Sequence, residues 1–234
     1  MSAFAIMRME KVGQGRAIGK VITHLREHEK CADISKPELT YKNKTKQFYE
    51  GAFGYQDIIK RAIKKHNELS NKKLRKDASI GIDMIFTYSP EMENVIDKKG
   101  FFNAFKMFIN DNFKGTTPLR VDCHYDEKTF HIHYVCLATT VQGTLSTRHF
   151  LGNKANMSKL QTDFANLCKD LGLERGKHKS NKKHKDLWQY KTEQLKKDYE
   201  MVKKELIEMA DNVLSDEKEI ASQSLESDIF DDLR

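Results

Sequence analysis

His124-Tyr125-Asp126-Glu127-Lys128-Thr129-Phe130-His131-Ile132-His133 lies between two runs that alternate as β-strands do. Leu119, Val121 and Cys123 set the rhythm before it, and Val135 and Leu137 carry it on. Successive side chains of a strand point to opposite faces, so His131 and His133 project from one face. The polar stretch Asp126 to Thr129 reads as a tight hairpin connection. With Tyr125 paired to Phe130 across it, His124 stands opposite His131 on that same face. Three neutral imidazoles in contact gain nothing unless a cation sits between them, so the hairpin predicts a divalent metal held by His124, His131 and His133. Such a set closes only part of a coordination sphere and leaves positions for water or substrate oxygens. The ion keeps its full charge, which suits an anionic substrate such as phosphate.

Outward from the hairpin the periodicities change. Toward the N-terminus, Ser2 to Glu10 alternates as a strand, and a turn with Gly13 and Gly15 leads to a helix over Ala17–Lys30. His24 and His28 share one face of that helix, four residues apart. Residues 31–55 read as a loop carrying Tyr41, Tyr49 and Tyr55. A helix follows over Asp57–Lys76 with a cationic second half, then a strand over Ala78–Thr87 that Pro90 ends. Asp97 to Phe113 is an amphipathic helix whose Phe101, Phe102, Phe105 and Phe108 signal core packing. Beyond the hairpin, Val141-Gln142-Gly143 turns the chain into a short strand around Leu145. A helix over Asn156–Leu171 stops at Gly172. The basic run that follows, through Lys185, is a loop or an arm touching nucleic acid. This order predicts an α+β fold, an antiparallel-rich sheet with helices stacked on one face, over residues 1–187. From Trp188, Leu195, Tyr199, Val202, Leu206, Met209 and Val213 recur at coiled-coil spacing, so 188–214 is expected to form a helix that docks on the domain or makes a short homodimer contact. Residues 215–234 are acidic and expected to lack structure.

The 234 residues carry a net charge of +7, unevenly spread. From Tyr190 onward there are 13 acidic and 7 basic residues, so the first 189 hold 34 basic against 21 acidic. A body this basic beside a metal site implies a polyanionic partner. The phosphate contacts expected from sequence are Arg8, Lys11, Lys72, Lys73, Arg75, Lys76, Arg148, Arg175 and Lys177. No run reaches the length of a membrane span and no secretory pattern opens the chain. Cys31, Cys123, Cys136 and Cys168 have no C-x-x-C spacing and read as reduced, in keeping with a cytoplasmic location.

A metal in a cationic cleft needs a nucleophile, either activated water or a side chain. His24, His28, Tyr41, Tyr49 and Tyr55 are the candidates; tyrosine would have to lose a proton from a starting pKa near 10. Glu127 and Asp126 both lie beside the expected ion on the hairpin turn, placed to orient a ligand or take a proton. Ordinary turn chemistry, to which Asp is well suited, is the alternative for both, and Glu127 is the one assigned a functional role.

His131-Ile132-His133, a hydrophobic residue between two strand histidines, resembles the paired-histidine motif of rolling-circle endonucleases and conjugative relaxases. More narrowly, the chain resembles the Pre/Mob (MobV-type) plasmid mobilisation and recombination relaxases. The supporting stretches are Ala5-Ile6-Met7-Arg8-Met9-Glu10-Lys11, the His24 region, Arg75-Lys76-Asp77-Ala78, His124 to His133 and Gly172-Leu173-Glu174-Arg175-Gly176. The resemblance implies a βα-sandwich nicking domain for plasmid transfer-origin DNA, with manganese or magnesium on His124, His131 and His133. It places the nucleophile on His24 and the assisting acid on Glu127, with a 5′-phosphoryl–histidine adduct and a free 3′-hydroxyl as outcome. A non-enzymatic DNA-binding regulator with a structural metal and a rolling-circle replication initiator are the competing readings. Three departures stand out: Phe130 replaces the family's usual proline and should leave the turn less constrained, Leu25 follows His24 where asparagine is usual, and the family's C-terminal region is longer.

Overall fold

The computed structural model describes residues 3–16, 34–176 and 187–231. Its strands are β1 (Phe4–Gly13), β2 (Lys44–Gln47), β3 (Ser79–Tyr88), β4 (Thr117–His124), β5 (His131–Leu137) and β6 (Glu174–Arg175). The helices are α1 (Gly51–Ser70), α2 (Lys98–Asn112), α3 (Thr147–Leu151), α4 (Lys154–Leu167) and α5 (Leu187–Asp231). The strands form one sheet in the order β2-β4-β5-β3-β1-β6. Neighbours pair antiparallel except β1 and β6, which run parallel. The fold is α+β, as the element order predicts.

Alternation sends Met84, Phe86 and Tyr88 of β3 and Ile132, Tyr134 and Cys136 of β5 to one face. On that face α2 lays Phe101, Phe105 and Phe108, and α4 lays Leu160 and Phe164. Within this group Phe86, Phe101, Phe105, Phe108 and Phe164 meet edge to face with centroids 5.0–5.7 Å apart, the arrangement ring quadrupoles favour. Asp97 starts α2 by accepting a hydrogen bond from the Lys99 N–H.

Helices were expected on one face, but α1 lies on the other. Its Tyr55 and Ile59 pack with Val135 and Leu137, which share the histidine face of β5, and with Leu119. Leu119 is the extra residue where the β4–β5 register shifts between Pro118 and Arg120, and the bulge brings it into this second cluster. Among the described residues, α1 covers the histidine face at the Leu137 end of β5.

Other differences have local causes. The 31–55 stretch is not all loop: it holds a 3-10 turn (Pro37–Lys42) and β2, which pairs with β4 from Lys44↔Cys123 to Gln47↔Arg120. An exposed, lysine-bearing edge strand has no apolar alternation to betray it. Helix α1 begins at Gly51 and ends at Ser70, where Asn71 adopts the left-handed conformation (φ 52°) and the Asn67 side chain accepts from Leu74 N–H. Lys72, Lys73, Arg75 and Lys76 consequently occupy the following loop rather than the helix. Gly172 stops the 3-10 turn after α4 with φ 77°, as expected. The chain divides into residues 1–178 and 179–234. In the second unit α5 continues to Asp231, through most of the stretch expected to lack structure; no Gly or Pro interrupts it. The seam residues Leu195, Tyr199, Val202, Leu206, Met209 and Val213 are exposed on it.

Candidate metal centre

The hairpin register is the one alternation demands: His124 lies opposite His131, and His133 lies opposite Asp122. The rings of His124, His131 and His133 stand 4.8–5.1 Å apart, centroid to centroid. One nitrogen from each lies within 4.8 Å of the others. His124 Nδ1 and His131 Nε2 approach to 3.1 Å, matching the roughly 3–3.5 Å between two nitrogens each about 2.1 Å from one ion. The residues fit a divalent cation.

Two features outside the triad orient it. His131 Nδ1 lies 3.0 Å from the Thr129 carbonyl, and since a carbonyl only accepts, Nδ1 carries the proton and Nε2 faces the centre with its lone pair. Glu127 closes over the same spot, its carboxylate 3.8 Å from His124 Nδ1 and 3.7 Å from His131 Nε2. It is an anionic oxygen donor on the ligand side, partly exposed, and the hairpin turn places it.

The sequence candidates for phosphate contact scatter. Arg8 is exposed and falls in one cross-strand row with Ile85 and His133, two strands and so roughly 10 Å from the centre. Lys11 is exposed opposite Ile82. The loop bearing Lys72, Lys73, Arg75 and Lys76 enters β3 six residues before Ile85, roughly 20 Å away along the strand. Arg75 there pairs with Asp77 at 3.4 Å. Arg148 is exposed on α3, beyond the Leu137 end of β5. Arg175 is half-buried, and its guanidinium donates to the Ser158 hydroxyl at 2.9 Å, tying β6 to α4. His24, His28 and Lys177 lie outside the described residues. Of the tyrosines, Tyr55 is buried on the sheet-facing side of α1, donates to the Leu119 carbonyl at 3.3 Å and has its hydroxyl pKa raised by burial, which removes it from the centre. Tyr49 packs on Tyr55, and Tyr41 is exposed.

Two groups near the centre, the Arg120–Asp122 pair and Glu93, escaped sequence reading, and Asp126 has partners the sequence did not reveal. Arg120, 1% exposed, forks onto Asp122 with Nε–Oδ2 at 2.5 Å and Nη2–Oδ1 at 2.7 Å, and Thr45 of β2 donates to the same carboxylate. Asp126 does more than turn: it is buried, accepts from Thr40 and Asn43 side chains, and its carbonyl accepts from Ser35 and Lys36 N–H. Glu93 receives the Phe130 N–H. Phe130 itself is not a loosened position. It is fully buried against Tyr125, Tyr88 and Phe101, so packing supplies the constraint that a proline ring would.

The sequence profile of the Mob_Pre family, described as a plasmid recombination enzyme, matches residues 1–192. The plasmid recombination enzyme type 3 of Staphylococcus aureus is 30% identical over 203 residues, covering 81% of this chain and 48% of its own length. A plasmid recombination enzyme of Streptococcus agalactiae is 27% identical over 197 residues, covering 81% of this chain and 39% of itself. The chain thus spans about half the length of the curated relatives it matches. Among solved structures, the relaxase domain of MobM, bound to plasmid pMV158 oriT DNA with manganese, superposes with a TM-score of 0.68 at 25% identity, over 82% of this chain and 98% of that one. The profile match over most of the chain, on a fold that brings three strand histidines to one point, places this protein in the Mob_Pre family of plasmid recombination enzymes, the Pre/Mob relaxases.

Proposed function

We propose that this chain is the nicking domain of a plasmid mobilisation relaxase, acting on single-stranded or supercoiled transfer-origin DNA. The observation that carries the reading is the convergence of His124, His131 and His133 on the part of the sheet that α1 leaves open. Family membership and the DNA- and manganese-bound MobM neighbour support it. A divalent ion held there would polarise the scissile phosphate and offset its charge. Manganese suits the donor set better than magnesium, because imidazole is a borderline ligand and magnesium favours an all-oxygen shell.

The chain's own groups divide the remaining work. The three imidazoles hold the ion, and the Thr129 carbonyl keeps His131 in the tautomer that can bind it. The Glu127 carboxylate, beside both His124 and His131, takes or steers a proton. His24 is the proposed nucleophile: an imidazole nitrogen bonds to phosphorus, the P–O3′ bond breaks, and the products are a 5′-phosphoryl–histidine and a 3′-hydroxyl. Attack by that hydroxyl on the adduct reverses the step and rejoins DNA. Arg8, in the row of His133, and the more distant basic loop at 72–76 would bind flanking phosphates.

The test is incubation with supercoiled plasmid carrying a transfer origin and Mn²⁺. Relaxed circles are expected, abolished by chelation and by His131→Ala. A denaturing gel with labelled single-stranded origin DNA should capture the adduct, and His24→Ala should remove it. Wild-type nicking by His24→Ala would reject that nucleophile.

A further inference from the structure

We propose that Glu93 is a positioning residue for the histidine centre, acting on His131 through the backbone of residues 128–130. The inference rests on the metal-binding reading above. Glu93 caps the short 3-10 turn (Pro90–Met92) between β3 and α2, 8% exposed, and no motif in the sequence points to it.

Its two carboxylate oxygens do different things. Oε2 accepts the Phe130 N–H at 2.8 Å and the Tyr88 hydroxyl at 2.9 Å. Oε1 accepts from Lys36 Nζ at 3.0 Å and lies 3.4 Å from Lys98 Nζ. The Lys36 ammonium in turn donates to the Lys128 carbonyl at 3.1 Å. One carboxylate therefore grips the strand entrance at two points, Phe130 directly and Lys128 through Lys36. Between those points lies Thr129, whose carbonyl receives the His131 Nδ1–H at 3.0 Å. Fixing 128 and 130 fixes the direction of that carbonyl, which sets the His131 tautomer and the direction of its Nε2.

The geometry is specific to an anion. A neutral side chain of the same shape would offer a single acceptor atom where four donors now converge, and the buried Phe130 N–H competes with two ammonium groups for it. Tyr88 is positioned by its stacking on Phe130, so the carboxylate and the ring hold the same residue from two sides.

The test compares wild type with Glu93→Gln, Lys36→Met and Lys98→Met. Two readouts are taken on each full chain: Mn²⁺ affinity by titration calorimetry, and the tautomer of His131 in metal-free protein from its ring ¹⁵N shifts. Wild type should show His131 protonated at Nδ1. Glu93→Gln should mix the tautomers and weaken Mn²⁺ binding about 10- to 100-fold, the usual effect of losing an outer partner of a ligating histidine. Lys36→Met, which removes only the Lys128 limb, should weaken it a few-fold and serves if Glu93→Gln does not fold. Lys98→Met keeps both limbs but removes one ammonium from Oε1, so it should move both readouts less than Lys36→Met does; a loss as large as that of Glu93→Gln overturns the route through residues 128–130. An unchanged tautomer together with Mn²⁺ affinity within twofold of wild type, in Glu93→Gln or, failing that, in Lys36→Met, overturns the proposal. Should wild type bind no Mn²⁺, the metal reading fails, and the tautomer comparison still decides whether Glu93 orients His131.

Discussion

His131 illustrates how a single backbone contact fixes the tautomer of a side chain. Its outer nitrogen is committed to the Thr129 carbonyl, so only the inner one has a lone pair to give. Replacing it with alanine leaves two imidazoles and Glu127. Mn²⁺ affinity is expected to fall at least 100-fold by calorimetry, while the metal-free protein melts within a few degrees of wild type. Arg120 and Asp122 behave oppositely, since each is buried and each neutralises the other. Arg120→Met strands a buried carboxylate across from His133 and should cost about 3–5 kcal/mol in denaturant unfolding. Glu93 gives the residue scale its pH dependence. Burial pushes its carboxyl up, but the Phe130 N–H, Lys36, Tyr88 and Lys98 together outweigh that and hold it below the usual carboxylate range. A folded pKa below the unfolded value of about 4.3 means its contribution is complete above that value and is lost as pH falls through the folded pKa. Melting curves between pH 3 and 6 should show wild type losing more stability on acidification than Glu93→Gln. The histidine cluster was legible in sequence because a period of two assigns faces outright. Glu93 and Arg120 were not, because a charged residue in a turn or on a polar strand reads as solvated until its neighbours are known.

At the scale of elements, the hairpin works because its two strands are central in the sheet and its turn is held from outside. β4 and β5 are flanked by β2 and β3, so their register cannot slip without moving every ladder beside it. The phenylalanine layer under them is the other support. Phe164 of α4 touches Phe86, Phe101 and Phe108 at once. Phe164→Ala should destabilise by about 3–5 kcal/mol, read from the shift of the urea midpoint at unchanged slope. Strongly periodic elements were plain beforehand: β3, the hairpin and α2 appear within a residue or two of where alternation and helical spacing put them. β2 was missed because Lys44-Thr45-Lys46-Gln47 has no apolar face. The end of α1 was overrun because lysines continue past the residue, Asn71, whose left-handed backbone stops it.

For the whole molecule, one sheet separates two surfaces with different tasks. One face is sealed by α2, α3 and α4 around the aromatic core, and the other is closed by α1 at one end and carries the histidines toward the opposite end. The exposed Arg8 shares the row of His133 on the face that α1 leaves partly uncovered, so DNA binding there is expected to be salt-dependent. Arg8→Ala is expected to lower the slope of log affinity against log salt by about 1 and to weaken binding similarly for different sequences, measured by fluorescence anisotropy. Arg175→Ala, whose guanidinium is engaged with Ser158, should leave that slope unchanged and lower thermal stability instead. No helix among the described residues is long and apolar enough to cross a membrane.

The amino-acid sequence by itself determined the three-histidine cluster, the hairpin that carries it and the α+β class, because these follow from periods of two and of 3.6 along the chain. Only the tertiary structure decided what holds that hairpin in place. Glu93 meets Phe130 across 37 residues, Thr40 meets Asp126 across 86, and Thr45 meets Asp122 across 77. Such polar contacts depend on where packing of the apolar layer brings distant backbones. Local periodicity carries no record of that, since the same side chains in a different packing would be solvated.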